Sequence, residues 1–162
     1  MLDLTGVFAR SEPLDFAFSL DLSTLEFFGG CPFGSPVAVS GRVSDRAGIV
    51  TLSATADFVY RAACDRCGKA VERRYSLPFS HVIVTGVEDE EQDELIIAED
   101  MQLDAEALIR EDLVLWVPLK FLCSEDCRGL CDRCGKNLNE GPCGCGGKEI
   151  DPRLAALQSL LK

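Results

Sequence analysis

The chain has 162 residues, of which 47% are hydrophobic and 27% charged, and its formal net charge is −11. This length fits one domain, or one domain with a small extra lobe, and the apolar content suffices for a packed core. No stretch approaches the roughly 18 consecutive apolar residues of a membrane helix, so no membrane association is expected. The acidic balance also argues against a basic stripe of the kind that binds nucleic acid directly.

The N-terminal residues bear on the cellular compartment. Residues 1–4, Met-Leu-Asp-Leu, lack a basic region followed by an apolar run, so no signal peptide is predicted. In a chain that is not secreted, nine cysteines are more typical of metal ligands than of disulfides. One cysteine is left over from the groups described below, and we expect this residue, Cys31, to be a free thiol in a loop.

Alternation of apolar and polar residues predicts an antiparallel sheet in the first half of the chain. The clearest strand runs over residues 50–60, and a turn at Asp45-Arg46-Ala47-Gly48 pairs it with a strand over residues 37–43. A further strand is predicted over residues 71–84, with Pro78 marking an edge or a bulge. Shorter strands are predicted at residues 14–20 and 95–97.

Helical spacing predicts one core helix after Asp104, which is a good N-cap residue. Pro118 ends the helix or enforces an extended exit from it. The run Leu-Val-Leu-Trp-Val at residues 113–117 is also compatible with a strand, and periodicity leaves this alternative open. Asp151 followed by Pro152 predicts the start of a second, short amphipathic helix that runs to the last residue. The core helix would bury Ala105, Leu108, Ile109, Leu113 and Trp116.

A repeated cysteine motif is the strongest functional signal. Cys-Asp-Arg-Cys-Gly-Lys occurs at residues 64–69 and again, letter for letter, at residues 131–136. The Cys-x-x-Cys spacing lets two thiolates meet one metal ion, and the following glycine permits the tight turn that directs backbone amides toward sulfur. We expect the first copy to form the tip of a β-hairpin.

The most economical grouping gives two four-cysteine sites with one zinc ion each. One site combines Cys64 and Cys67 with Cys123 and Cys127, and the other combines Cys131, Cys134, Cys143 and Cys145. An alternative grouping places Cys123, Cys127, Cys131 and Cys134 in a single site. Zinc is favoured because the two turns match structural zinc sites, while iron remains open.

Other features suggest weaker hypotheses. His81, the single histidine, is a weak candidate for a general base because it lies in a predicted strand. A thiol–disulfide role for Cys64 and Cys67 lacks a helix that would lower a thiol pKa. The acidic run at residues 88–94 is expected to be a solvated, mobile loop, with contact to a basic partner as the alternative. Five basic residues either contact phosphate or a partner, or simply solubilise the hairpin tip: Arg61, Arg66, Lys69, Arg73 and Arg74.

The C-terminal motifs resemble the YceD family of bacterial large ribosomal RNA subunit accumulation proteins. The resemblance rests on Cys-x3-Cys-Arg-Gly-Leu-Cys-x2-Cys-Gly-Lys-Asn-Leu-Asn from Cys123 and on Asp-Pro-Arg-Leu-Ala-Ala-Leu from Asp151. The upstream Cys-x-x-Cys-Gly at residues 64–68 and the acidic segment after it agree with the same family. The resemblance covers most of the chain from about residue 35. It implies a cytoplasmic protein needed for normal levels of large-subunit ribosomal RNA, with ribosomal RNA or a ribosomal or assembly protein as its partner.

These observations predict an α+β fold with an antiparallel sheet, one core helix and a cysteine-rich zinc-binding C-terminal lobe. The core domain would span residues 1–122, with a zinc-knuckle hairpin at 64–69, and the lobe with its terminal helix would span residues 123–162. The expected function is that of a non-enzymatic accessory factor in ribosome formation, with no small-molecule substrate. The alternative is a metal- or thiol-dependent enzyme, such as an RNA hydrolase or a redox protein.

Overall fold

A computed structural model of the chain describes residues 1–86 and 95–145. The acidic run at 88–94 and the helix predicted from Asp151 lie outside the described residues. Two short 3-10 segments, Glu99–Met101 and Leu138–Glu140, accompany the longer elements. The strands are β1 (Leu2–Asp3), β2 (Leu14–Leu20), β3 (Val37–Arg46), β4 (Ile49–Ala63), β5 (Ala70–Val84), β6 (Leu95–Ile97) and β7 (Gln102–Leu103), and the helices are α1 (Thr5–Arg10) and α2 (Ala105–Trp116).

The main sheet has five strands in the order β2-β3-β4-β5-β6, and β1 pairs with β7 in a separate two-stranded sheet. Pairing is antiparallel from β2 to β5, as the alternating sequence predicts. The expectation of a wholly antiparallel sheet is wrong at β6, which lies parallel to β5. Only Val82–Val84 pair with β6, and three residues carry no sequence signal for strand direction.

The hairpin of β4 and β5 presents the first cysteine motif. Its register runs without interruption from Val50 opposite Ile83 to Ala63 opposite Ala70. Residues 64–69 therefore form the tip, as predicted. Pro78 lies on β5, opposite Thr55 of β4 and before the stretch of β5 that pairs with β6. On the side away from β4, this part of β5 pairs with no other described strand, so Pro78 lies at a local edge, one of the two predicted alternatives.

Helix α2 covers the apolar face of the sheet. The Asp104 carboxylate accepts a hydrogen bond from the backbone N–H of Ala107 at 3.0 Å, so the predicted N-cap is confirmed. The alternative of a strand at residues 113–117 is wrong. A strand would place Leu113 and Leu115 on one face, whereas Leu113 is fully buried and Leu115 is 85% exposed.

An aromatic cluster joins the end of α2 to the hairpin. The Trp116 ring centroid lies 4.6 Å from that of Tyr75, 5.2 Å from Phe58 and 5.7 Å from Tyr60. Phe121 packs on Tyr60 from the segment that follows the helix, with centroids 5.2 Å apart. Such edge-to-face pairs each add about 0.5–1.5 kcal/mol beyond their buried area. The cluster fixes the direction in which the chain leaves α2 toward the next cysteines.

Helix α1 is the one described α-helix that the sequence did not predict. It has six residues, buries Val7 and is preceded by Leu4, whose backbone N–H donates to the carbonyl of Met101 at 2.8 Å. With β1 and β7 it closes one end of the core. Its shortness explains the omission, because six residues hold less than two turns of apolar periodicity.

The opposite burial of two neighbouring leucines gives a stability test. Leu113→Ala is expected to lower the free energy of unfolding by about 2–5 kcal/mol because it removes fully buried methyl groups. Leu115→Ala is the matched control and should change the free energy by less than about 0.5 kcal/mol. Urea denaturation of both variants measures the difference. Equal losses would contradict the helical placement.

Candidate metal centres

The two copies of Cys-Asp-Arg-Cys-Gly-Lys fold into the same turn. In the first, the Cys64 N–H donates to the Lys69 carbonyl and the Gly68 N–H to the Cys64 carbonyl, both at 2.8 Å. In the second, the Cys131 N–H donates to the Lys136 carbonyl at 2.8 Å and the Gly135 N–H to the Cys131 carbonyl at 2.9 Å. The φ angles of Gly68 and Gly135 are 69° and 70°, a conformation that glycine adopts without strain.

Eight thiols form two groups of four. The first tetrad consists of Cys64, Cys67, Cys123 and Cys127, and the second tetrad of Cys131, Cys134, Cys143 and Cys145. Within each tetrad all Sγ atoms lie within 4.8 Å of one another. The thiols of the alternative single site are divided between the two tetrads. Cys31 is exposed and belongs to neither, in agreement with the expected free thiol.

The sulfur separations suit a tetrahedral metal ion. The Sγ atoms of Cys64 and Cys127 lie 3.8 Å apart, and those of Cys67 and Cys123 lie 3.7 Å apart. Tetrahedral coordination with metal–sulfur bonds of about 2.3 Å places sulfur atoms about 3.8 Å apart. A disulfide would require about 2.05 Å. In the second tetrad the Sγ atoms of Cys131 and Cys143 lie 3.3 Å apart, which is closer than this tetrahedral separation but still too far for a disulfide. Each tetrad could therefore hold one metal ion, the second with a small outward shift of these two sulfurs.

The tetrads differ in depth and in the chain segments that they join. Cys64, Cys67 and Cys127 are buried and pack with Val71 and Leu122. The first tetrad joins the hairpin tip to a segment 56–63 positions away. The second tetrad is more exposed and joins two cysteine pairs that lie 9–14 positions apart.

Hydrogen bonds from N–H groups favour the thiolate form of some of these cysteines. Burial opposes ionisation of Cys64, but the N–H groups of Cys123, Cys67 and Arg66 lower its pKa to about 6. The N–H groups of Cys134 and Arg133 similarly lower the pKa of Cys131 to about 6. Burial also opposes ionisation of Cys127, but the Asn139 amide and the Gly129 N–H lower the pKa of this thiol. The thiolate is the form that binds metal.

A second thiol in each tetrad resists ionisation. The Lys69 amide lowers the pKa of Cys67, but burial and the neighbouring Cys64 sulfur outweigh it and raise the pKa to about 12. In the second tetrad, the contact with the Cys134 thiol, together with burial, raises the pKa of Cys145 to about 12. Four thiolates this close repel one another, so a cation between them is the natural source of compensation.

The arginine of each motif holds the last cysteine of its tetrad. Arg66 Nη1 donates to the Cys127 carbonyl at 2.8 Å and to the Glu125 carbonyl at 3.2 Å. Arg133 Nη1 donates to the Cys145 carbonyl at 3.1 Å. Sequence reasoning treated Arg66 only as a candidate partner contact, although its occurrence in both copies of the motif was a signal for this role.

Asp65 and Arg73 hold the segment that enters the first tetrad from α2. The Asp65 N–H donates to the Phe121 carbonyl at 2.9 Å, and the Phe121 N–H donates to the Asp65 carboxylate at 2.6 Å. The Arg73 guanidinium lies 5.1 Å from the centre of the Phe121 ring and also donates to the Leu122 carbonyl. Sequence reasoning missed Asp65 and Phe121, because a reciprocal pair between distant segments leaves no pattern in either.

The structure places the five basic candidate residues in different settings. Arg66 and Arg73 bind backbone carbonyls, and Arg61 forms an ion pair with Glu72 at 2.7 Å. The side chains of Lys69 and Arg74 are exposed and make no hydrogen bond or ion pair with the other side chains of residues 1–86 and 95–145. These two side chains are therefore the ones available for contact with another molecule.

His81 joins the sheet to the helix. Its Nε2 lies 2.8 Å from the carboxylate of Asp112, and both side chains are largely buried. This pairing explains why Asp112 interrupts the apolar stripe of α2. His81 follows the first residue of β5 by eleven positions, about 35 Å along an extended strand from the first cysteine motif.

The fold and the tetrads define a small cysteine-rich α+β protein with two sites that can hold metal ions. Among the helices of the described residues, none is both long and apolar enough to cross a membrane. Residues 52–161 match the family model described as "Large ribosomal RNA subunit accumulation protein YceD". The chain belongs to this family, whose name implies a role in accumulation of the large ribosomal RNA subunit.

Relatives of the chain come from bacteria and plants. Uncharacterized protein YlbN of Bacillus subtilis is 28% identical over 130 residues, which cover 79% of this chain and 76% of YlbN. The Arabidopsis thaliana protein named "Large ribosomal RNA subunit accumulation protein YCED homolog 1, chloroplastic" is 25% identical over 159 residues, covering 80% of this chain and 50% of that protein. An uncharacterized Mycobacterium tuberculosis protein is 33% identical over 102 residues, covering 60% of this chain and 49% of the relative. The chain thus spans about half the length of the last two. No solved structure matches it significantly.

Substitutions in the two tetrads should have separable effects on metal content. We expect the wild-type protein to hold two metal ions per chain, and Cys64→Ser and Cys143→Ser to hold one each. Cys64→Ser should also make the hairpin tip sensitive to protease, because it unlinks the tip from the segment after α2. Elemental analysis and limited proteolysis measure both effects.

Cys31→Ser is the matched control and should retain two ions, since its thiol lies outside both tetrads. One ion in the wild-type protein, or full metal content in Cys64→Ser, would contradict the two-tetrad arrangement.

Proposed function

We propose that the protein is a non-enzymatic accessory factor for the accumulation of large-subunit ribosomal RNA, held together by two structural zinc ions. The observation that carries the proposal is the closed composition of each tetrad, in a chain of the YceD family. Four thiols fill all positions of a tetrahedral ion. A catalytic zinc site keeps one position open for water or substrate, and neither tetrad provides one.

Zinc is the favoured metal. Tetrahedral sites with four thiolates suit zinc or iron. The Cys-x-x-Cys-Gly turns, with backbone N–H groups directed at sulfur, are typical of structural zinc sites. A zinc protein is colourless, whereas iron bound by thiolates absorbs visible light, so a spectrum of the purified protein separates the two metals.

The charge of the loaded tetrads bears on the choice of partner. Each zinc ion with four thiolates carries a charge of about −2, which adds to an already acidic chain. Binding of ribosomal RNA along a broad surface is therefore unfavourable. We propose a local contact with ribosomal RNA or with a ribosomal or assembly protein in the cytoplasm, through the exposed side chains of Lys69, in the turn of the first tetrad, and of Arg74, further along β5.

Loss of the protein should reduce large-subunit ribosomal RNA. In a depletion strain of the encoding organism, the ratio of 23S-type to 16S-type RNA is expected to fall, and the wild-type gene should restore it. Cys127→Ser should fail to restore the ratio because the first tetrad is broken, whereas Cys31→Ser should succeed. RNA gels or sequencing measure the ratio, with immunoblots to confirm equal expression.

An unchanged RNA ratio on depletion would refute the proposal. Cleavage of precursor ribosomal RNA by the purified protein, abolished by His81→Ala with metal content retained, would favour the enzymatic alternative instead.

Charge reversal at the two available basic residues tests the contact. The double substitution Lys69→Glu and Arg74→Glu should lose complementation while the protein still binds two metal ions, because neither side chain takes part in the fold. Arg46→Glu on β3 together with Arg110→Glu on α2 is a matched charge change at two exposed side chains away from the hairpin tip and should complement. Full complementation by the Lys69 and Arg74 variant would show that these residues are not part of the contact surface.

A further inference from the structure

Asn139 lies between the two tetrads and donates a hydrogen bond to one of the sulfurs. Its side-chain Nδ2 lies 3.3 Å from the Sγ atom of Cys127, a member of the first tetrad. Asn139 itself follows the turn that carries Cys131 and Cys134 of the second tetrad. It is thus a side chain from the segment between the ligands of the second tetrad that contacts a ligand of the first tetrad.

The orientation of the Asn139 amide is fixed by its other hydrogen bonds. Its Oδ1 accepts from the backbone N–H of Arg128 at 2.8 Å, so the amino group must face the sulfur. The second hydrogen of Nδ2 is taken by Oδ1 of Asn137 at 2.8 Å. Each polar atom of the side chain therefore has a partner, and the N–H directed at Cys127 cannot turn away without breaking two further bonds.

The same segment is built onto the second tetrad. Leu130 and Asn137 form a β-bridge, and the Leu138 N–H donates to the Gly129 carbonyl at 2.9 Å. One end of this short ladder is the Cys131–Lys136 turn of the second tetrad, and the other end is the Asn139 contact with Cys127. A metal ion that holds the turn in place thereby also holds Asn139 in place.

We propose that Asn139 is a positioning residue for the Cys127 thiolate and that it couples metal binding at the two tetrads. The inference rests on the proposed metal sites and adds their interdependence. A hydrogen bond from N–H to a metal-bound thiolate withdraws charge from sulfur, and loss of such an outer partner commonly costs 10–100-fold in metal affinity. Coupling of this kind is reciprocal, so each ion strengthens the binding of the other.

Two substitutions separate the donor from the backbone cap. Asn139→Asp keeps an oxygen that can accept from the Arg128 N–H but removes the donor to sulfur, whereas Asn139→Ala removes both. In protein loaded with Co²⁺, both variants should shift the thiolate-to-cobalt charge-transfer band of the first site to longer wavelength. Both should also weaken that site about 10-fold in competition with a chelator. Glu140→Gln, an adjacent exposed residue, is the control and should leave band and affinity unchanged.

A thermodynamic cycle tests the coupling. The second tetrad is emptied by Cys143→Ser with Cys145→Ser, and the affinity of the first site for Co²⁺ is measured with and without Asn139→Ala. Emptying the second tetrad should weaken the first site about 10-fold when Asn139 is present and should have no further effect when it is absent.

Three results would overturn the inference. One is restoration of wild-type band position and affinity by Asn139→Asp, which would reduce Asn139 to a backbone cap. Another is equal affinity of the first site whether or not the second is filled. A third is an equal loss with and without Asn139, which would route the coupling through other residues. Binding of fewer than two ions by the wild-type protein would instead refute the metal sites themselves.

Discussion

The attachment of the β4–β5 hairpin tip to the segment after α2 is the contact on which the rest of the structure depends. The hairpin tip is joined to that segment by the four thiols of the first tetrad and by the reciprocal backbone and carboxylate bonds of Asp65 with Phe121. The aromatic cluster around Trp116 continues directly into this junction through Phe121. Sheet, helix and C-terminal lobe therefore meet at one place, and a metal ion there would stabilise all three.

Loop entropy alone does not make the first tetrad more important than the second for the stability of the fold. Its two cysteine pairs lie 56–63 positions apart, against 9–14, or about 12, in the second tetrad. Because closure entropy grows only with the logarithm of loop length, a fivefold longer loop is worth about 1.4 kcal/mol. The larger difference is burial: three sulfurs of the first tetrad lie inside the protein, and an uncompensated thiolate there would be costly. Burial, more than loop length, would therefore make the fold depend on an ion at this tetrad.

The parts of the structure that the sequence predicted are those with a repeated or periodic pattern. Period-two alternation defined β4, and the duplicated hexapeptide defined both turns. The short run at residues 113–117 was ambiguous because all five of its residues are apolar. Its exposed residues, Val114 and Leu115, cannot be distinguished in the sequence from the buried ones. The direction of β6 was equally beyond reach, since a strand of three residues carries no pattern that distinguishes parallel from antiparallel pairing.

The residues around the metal sites show where sequence reasoning reaches its limit. A cysteine pair can be recognised in the sequence by its spacing. Asp65 and Asn139 instead contact atoms of other segments, and these partners are visible only in the folded structure. The two copies of the hexapeptide illustrate the difference. They make the same turn and use their arginines in the same way, yet one lies buried at the end of a long hairpin and the other at the surface of a short ladder. The local sequence determines the turn, while its surroundings determine whether an ion held there anchors the whole fold or one lobe. Asn139 connects the two sites, because its side chain belongs to the segment of the exposed tetrad and donates to a sulfur of the buried one.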